Sequence, residues 1–478
     1  MRAAHHRNLA VALIALLSAT GILAACSTVA TPPASPPDAR AVVAAITECG
    51  LRDRLDALAR GLADSVGFRA VGTAGLEAAT EGIETELAAS GWLVTSDPFT
   101  TSTFADLGGS SLAVDGRSFG ARDMRPLIFA PNGDVTGPVV AVDWDPDARE
   151  ADGRGCAVAD YGRLPDGAIV LVRSGPCLRR DQVLAAQRAG AAAVVIGYPS
   201  TASGRVLRPT LLEPAGLDIP AAAVSRVAAA ALAASAARDG TARIVTRTRT
   251  SWTPTRSVIA DLPGSRPDKV VMLGAHLDGV IDGPGSNDNG SGVAALLEIA
   301  RALRGTRPTA TIRLAFWTGE ESGLVGSSRY VMGLSVQDRD AILVYLNADM
   351  LASPNGFAGV YDEASAPPGS AAVRDLLLAA VERAGGRPMS VDLGGGSDQL
   401  PFQRAGIPTG GVFSGANEAV SDEQAAASGS TAGLPADPCY HLLCDDGSDV
   451  DIWLAHRLAS ALADVTVQLA NDPTLVPG

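Results

Sequence analysis

Lysine is all but missing from this chain: Lys269 is the one lysine in 478 residues, and arginine carries nearly all the positive charge. Acidic groups outnumber basic ones, 52 to 38, for a net charge of -14. Nucleic-acid binding needs clustered Lys and Arg against the phosphates, so that class is excluded. Histidine is scarce too, five in all, and His5 and His6 fall in an N-terminal leader. No H-E-x-x-H occurs, which removes the helix-borne zinc site of the thermolysin type. The apolar run from Leu9 to Leu17 is too short for a membrane-spanning helix. A hydrophobic fraction of 47% leaves ample material for a buried core.

What the leader does hold is an address. Arg2 and Arg7 precede the apolar run, which continues to Leu23-Ala24-Ala25-Cys26, and this order describes an export signal over residues 1–25. The L-A-A-C ending resembles the lipobox of bacterial lipoproteins. That resemblance implies a lipidated Cys26 as the mature N-terminus and a protein anchored to the outer face of a bacterial cell membrane, or released from it. An ordinary secretory signal with a chance cysteine is the alternative. Residues 26–38 are rich in Pro, Ser and Thr and read as a flexible tether. Export favours disulfides among the other five cysteines. Cys439 with Cys444 would pin the loop of His441, and Cys156 with Cys177 would staple the middle of the chain. Cys49 is then left over, free or differently paired, because spacing does not fix connectivity.

The length suggests two to three domains. Residues 39–90 read as helical, with Leu51, Leu55, Leu58 and Leu62 near helical spacing, and Gly91 to Thr95 as a first strand. Composition changes near Asp123 and changes back near Trp252. This predicts a domain made of residues 39–122 and 251–474, interrupted by a smaller one at 123–250. Within the insertion, Ala168–Arg173, Asp181–Ala189 and Ala191–Ile196 form a strand–helix–strand unit. The stretch DGAIVLVRSGPCLRRDQVLAAQRAGAAAVVIGYP resembles the protease-associated domain inserted in several exported peptidases. It holds no metal-ligand spacing, so we expect it to shape access to a site and not to carry the chemistry. From Ser257 onward, strands and helices alternate. Val270 to Ala275 is a continuous apolar run, as in a strand buried on both faces. Val293, Leu296, Leu297, Ala300 and Leu303 follow at helical spacing, then Ile312, Leu314 and Phe316 alternate, and Leu343–Leu346 supplies another strand. The alternation predicts an α/β fold with a mixed, mostly parallel sheet flanked by helices.

The stretches AHLDGVIDGPGSNDNGSG, FWTGEESGLVGS, YLNADM and DPCYHLLC carry His276, Asp288, Glu321, Asp349 and His441, with Glu320 beside Glu321. Zinc takes imidazole nitrogen and carboxylate oxygen and keeps a position open in catalytic sites. A two-metal hydrolase wants one bridging carboxylate and about two further ligands per ion. It also needs a proton acceptor that is not a ligand, and the adjacent glutamates can divide those roles. Each motif has a bland reading: H-L-D as a structural histidine, Glu320-Glu321 as a solvated turn, SNDNGSG as a helix-capping loop. Their order, with His276, Glu320, Glu321 and Asp349 each just after a strand, points to a metal site at the carboxyl ends of a sheet. His456, in DIWLAHRLASAL, reads as an ordinary helix residue, and Asp445 and Asp446 as loop surface. Gly116 to Gly120 fits G-x-S-x-G, but Asp115-Gly116 reads as a hairpin turn. A nucleophile elbow needs a buried strand before the serine and a helix after it, which excludes a serine hydrolase here.

Together these motifs resemble the M28 family of metallopeptidases, particularly its secreted bacterial aminopeptidases, over most of residues 252–465 and more weakly over 40–120. The resemblance implies the zinc-exopeptidase fold and two zinc ions. His276 and Asp349 would bind one, Glu321 and His441 the other, and Asp288 would bridge. It further implies Glu320 as general base, Asp278 as the group orienting His276, and Tyr440 as hydrogen-bond donor to the developing oxyanion. The cysteines around Tyr440-His441 resemble the family's disulfide-closed loop. One departure stands in GGSDQLPF: Gln399 occupies a position where many relatives have histidine, not a ligand, which leaves nearby substrate contacts open. The implied substrates are peptide and protein N-termini. A carboxypeptidase or other amidohydrolase on the same fold is the alternative enzyme. A non-catalytic surface binding protein would lack a ligand or the base, and none is missing.

Overall fold

A computed structural model describes residues 35–63, 68–142, 144–145, 154–197 and 206–476. The expected export signal 1–25, Cys26 and most of the 26–38 tether lie outside these residues. The last part of that tether is docked: Ser35 accepts a hydrogen bond from the Arg307 amide and Pro37 from Asn471 Nδ2. Asp38 caps the helix Ala39–Ala45 through the Ala41 amide.

One eight-stranded sheet runs, in spatial order, Leu93–Asp106, Thr248–Leu262, Ala310–Trp317, Arg266–His276, Ile342–Ala348, Thr409–Phe413, Ala358–Tyr361, Pro388–Val391. Its four central strands are parallel and the pairs flanking them antiparallel, so the sheet is mixed about a parallel centre. Alternate residues of Arg266–His276 face two different cores. Val271, Leu273 and Ala275 join helices Glu48–Ala63, Gly290–Ala302, Ser370–Arg383 and Ile452–Asn471 on one face. Val270 and Met272 join Trp317, Tyr345 and Phe402 under Val325–Gly333 and Gln399–Arg404 on the other. Burial on both faces accounts for the continuous apolar run in the sequence. Among the described residues no helix is long and apolar enough to cross a membrane.

The strands Leu93–Asp106 and Thr248–Leu262 pair along their whole length, and between them the chain builds a second eight-stranded sheet. Its strand–helix–strand unit is Ile169–Arg173, Arg179–Arg188 and Ala193–Gly197, with the strands parallel. The Cys156–Cys177 disulfide staples this region. The hairpin Ser111–Val114 with Arg117–Phe119 joins this sheet through Thr241–Thr246. Its turn has positive φ at Asp115 (47°) and Gly116 (82°), as a two-residue hairpin turn requires. Ser118 is exposed on that hairpin with no helix after it, so no nucleophile elbow exists.

Candidate metal centre

Three neighbouring parallel strands end at one edge of the first sheet, and each delivers a functional side chain there. Arg266–His276 ends in His276; Ala310–Trp317 leads into Glu320 and Glu321; Ile342–Ala348 leads into Asp349. Asp288 comes on the loop before Gly290–Ala302, where Asn289 caps the helix by accepting from the Gly292 amide at 2.9 Å. His441 comes from a loop closed by the Cys439–Cys444 disulfide, with φ at 57° in the left-handed region. Cys49 is free and exposed.

Asp288 stands between the two histidines. Its Oδ1 lies 3.2 Å from His276 Nε2 and its Oδ2 3.0 Å from His441 Nε2. His276 Nε2 also lies 3.3 Å from Asp349 Oδ1, and His441 Nε2 3.2 Å from Glu321 Oε2. Two sets thus share Asp288: His276, Asp288 and Asp349, and Asp288, Glu321 and His441, each with ligand atoms within 4.8 Å of one another. Glu320 gathers with His276 and Glu321 inside the same limit. The residues fit zinc on an observation of their own: Asp349 Oδ1 and Glu321 Oε1 are buried with no hydrogen-bond partner. A buried carboxylate oxygen left unpaired is costly, and a cation satisfies it. His276 Nδ1 meets the Asp278 backbone carbonyl at 2.9 Å, which leaves Nε2 free to act as a ligand.

Electrostatics tell the same story. Burial works against charged imidazoles, yet Asp349 and Glu320 around His276, and Glu321 and Asp288 around His441, outweigh it and hold both pKa values well above the ordinary range. Burial also opposes the Asp288 anion, but hydrogen bonds from both histidines bring its pKa below the usual carboxylate value. Glu320 goes the other way: burial, then the nearby Glu321, Asp398 and Asp349, push it well up.

Two acids depart from expectation. The Asp278 carboxylate does not orient His276; its backbone carbonyl does. The carboxylate instead accepts the amides of Gly319 (2.8 Å), Glu320 (3.2 Å) and Glu321 (3.4 Å), and so fixes the turn that carries the two glutamates. Burial raises its pKa to about 6. Asp445, expected on the loop surface, is 3% exposed. It folds inward because the amides of Asn287 and Asp288 need acceptors, at 2.6 Å to Oδ1 and 3.1 Å to Oδ2. Asp446 is exposed as expected, and His456, on the helix Ile452–Asn471 away from the centre, donates from Nε2 to the Ile46 carbonyl. Gln399 is buried and donates to Glu363 at 2.9 Å. Sequence reasoning missed Arg69, 1% exposed, which donates to the carbonyls of Leu277, Pro284 and Gly285 and so spans the loop between His276 and Asp288. A lone arginine in F-R-A-V carries no spacing signal. Arg208 of the insertion ties the same loop down, bonding Asp282 and Asp106 at 2.8 Å each.

The centre opens into a cleft of about 160 Å³ whose walls include Met350, Leu393, Phe413, Glu418 and Tyr440. The Tyr440 ring stacks on His441 with centroids 3.8 Å apart.

Residues 257–466 match the model of peptidase family M28, and residues 135–232 that of the PA domain. An aminopeptidase of Pseudomonas aeruginosa is 34% identical over 86% of this chain and 78% of its own length. The chain belongs to peptidase family M28. A second relative, described as the probable lipoprotein aminopeptidase LpqL of Mycobacterium tuberculosis, is 37% identical over 80% of this chain and 77% of its own. Among solved structures, the aminopeptidase from Aneurinibacillus sp. strain AM-1 aligns with a TM-score of 0.73 at 23% identity, covering 91% of this chain and 96% of that one. BSAP, a zinc aminopeptidase from Bacillus subtilis, gives 0.68 at 21% identity, covering 90% and 96%. These likenesses show the fold, an M28 α/β domain with an inserted PA domain.

Proposed function

We propose that this M28 peptidase is an exported, lipid-anchored dizinc aminopeptidase that removes the first residue of peptides and proteins. One observation carries the reading: each oxygen of Asp288 faces a different histidine, and each histidine has a carboxylate of its own. On this reading His276 and Asp349 hold one zinc, Glu321 and His441 the other, and Asp288 bridges. Zinc bound there supplies Lewis acidity, lowering the pKa of water and polarising the scissile carbonyl. Glu320 takes a proton from the attacking water and hands it to the leaving amine, a role suited to a carboxyl whose pKa is raised. Tyr440, held by its stack on His441, donates its hydroxyl hydrogen to the oxyanion. Glu320, Asp349 and Glu418 make the cleft acidic, which suits a free α-ammonium group.

Export and anchoring rest on the L-A-A-C ending, the two disulfides and the lipoprotein relative. The PA insertion was expected at 123–250; we propose that it reaches over about 107–247, a reading supported by the pairing of strands from Ser111 to Thr246 within the second sheet.

The test is a zinc titration of metal-stripped protein lacking residues 1–26, assayed on an aminoacyl-nitroanilide and its N-acetylated control. Activity near two equivalents on the free amine alone supports the reading. Cleavage of the acetylated substrate would favour a carboxypeptidase or other amidohydrolase, and uptake without cleavage a binding protein. Glu320→Ala should keep zinc and lose turnover; retained turnover would remove Glu320 from the mechanism.

A further inference from the structure

Behind the Asp349 side of the centre runs a chain of buried neutral groups. Trp317 Nε1 donates to the Tyr345 hydroxyl at 2.8 Å, and that hydroxyl donates to Asn347 Oδ1 at 2.8 Å. Asn347 Nδ2 donates to Ser397 Oγ at 2.8 Å and to the Tyr361 hydroxyl at 3.1 Å. Ser397 Oγ donates to Asp349 Oδ2 at 2.5 Å. Trp317 and Tyr345 are fully buried, and Asn347 and Ser397 are 1% exposed.

The direction of this chain is set from both ends. An indole N–H only donates, so Tyr345 must accept from it and spend its one proton on Asn347. A carboxylate only accepts, so Ser397 must spend its proton on Asp349. Between them the Asn347 amide has one orientation that satisfies every group: oxygen toward Tyr345, NH₂ toward Ser397 and Tyr361. The outcome at Asp349 is an asymmetric carboxylate, with Oδ2 hydrogen-bonded and Oδ1 free of hydrogen bonds, facing His276 Nε2 at 3.3 Å. No cation takes part, so the anion's charge is left for a metal; an arginine in the place of Ser397 would compete for it.

We infer that Trp317, Tyr345, Asn347 and Ser397 form a one-way hydrogen-bond relay that positions Asp349 as a single-oxygen ligand and sets the affinity of the metal site it shares with His276. This inference rests on the dinuclear reading above. The four residues are positioning residues and touch neither metal nor substrate. Removing Ser397 Oγ frees Oδ2 directly. Removing the Tyr345 hydroxyl acts at a distance: the Asn347 amide is then free to turn its oxygen toward Ser397, whose proton leaves Asp349. Phe at 345 keeps the ring stacked on Phe402, now 3.9 Å centroid to centroid at 4°.

The experiment is calorimetric zinc titration of the metal-stripped parent, Ser397→Ala and Tyr345→Phe, with thermal unfolding of each metal-free protein beside it. The expected result is that one zinc equivalent weakens by about 10–100-fold in both variants, the usual size of such outer hydrogen-bond losses. The other equivalent should stay within about twofold. Loss of both equivalents in proportion to lowered thermal midpoints would mean a merely structural role and would overturn the inference. So would a shift in Ser397→Ala with none in Tyr345→Phe, since the relay would then end at Ser397. If the parent itself takes up fewer than two equivalents, the dinuclear reading falls and this inference with it. Two equivalents in the parent with unshifted variants removes this inference alone.

Discussion

Asp445→Asn should stabilise the metal-free protein at pH 8 while weakening its hold on zinc. Asp445 is buried, and burial leads the forces that lift its pKa from 3.8 to about 7, with Asp437 adding to it and the amides of Asn287 and Asp288 opposing it. The native state therefore binds this proton more tightly than the unfolded chain does. Its contribution to stability falls as pH rises from about 4 through about 7, and stays low above that. A shift of about three units corresponds to about 4 kcal/mol, at about 1.4 kcal/mol per pH unit. Asparagine is a permanent stand-in for the protonated acid, with one accepting oxygen and one donor. The two proteins should thus unfold alike near pH 4, and the Asn variant should gain steadily to a plateau above pH 7.

The loss is paid at the centre. With one acceptor gone, either the Asn287 or the Asp288 amide is left against an NH₂ group, and the peptide that carries the Asp288 carboxylate shifts. Zinc affinity should fall about 10–100-fold. Denaturant unfolding of both metal-free proteins from pH 4 to 8, with zinc titration at pH 8, checks both halves. A stability difference that does not change with pH would refute the reasoning, because the Asp445 charge would then carry no burial cost. An Asn variant less stable at pH 8 would show that the two amide bonds outweigh desolvation.

Tyr440→Phe keeps the stack on His441 and removes one donor, so kcat should fall about 10²–10³-fold with KM little changed; steady-state kinetics on an aminoacyl-nitroanilide decide it. Replacing Cys439 and Cys444 by serine opens a loop five residues apart and should lower stability by about 2 kcal/mol, together with weaker binding of one zinc, read by thermal unfolding and titration. Arg208→Ala leaves Asp282 with Arg125 alone, and should cost about 2–3 kcal/mol of stability, below the figure for a fully buried pair because both acids are partly exposed. An unchanged unfolding midpoint would show that the insertion does not hold the catalytic loop through this arginine.

The proposed ligands stand out in the sequence because metal chemistry restricts ligands to few residue types, and because parallel strands deliver them at predictable points just after apolar runs. His276, Glu321 and Asp349 each follow such a run, and the central sheet and the strand–helix–strand unit of the insertion were readable from the same periodicity. The supports were not legible. Asn287 and Asp445 stand 158 residues apart, Arg69 and Leu277 208, and Asn347 and Ser397 50, so no local spacing betrays them. The hairpin turn at Asp115-Gly116 was readable, but the sheet it joins was not, since only its partner Thr241–Thr246 decides.

The same contrast gives a physical criterion that sequence alone could not supply. Asp278, Asp288, Glu320, Glu321, Asp349 and Asp445 are among the acids around this centre. Asp278 and Asp445 have both oxygens engaged by backbone amides, and neither faces an imidazole nitrogen. Asp288, Glu321 and Asp349 each turn an oxygen to a histidine, and the last two keep a buried oxygen without a hydrogen bond. Carboxylates engaged by amides at both oxygens are held in place by the loops they anchor, and their charge is partly met by those donors. Unsaturated ones carry an unmet cost that a cation relieves. Asp398, buried with neither oxygen hydrogen-bonded, shows that an unmet oxygen is not enough by itself; the proposed ligands also face a histidine, whereas the H-L-D aspartate anchors a turn.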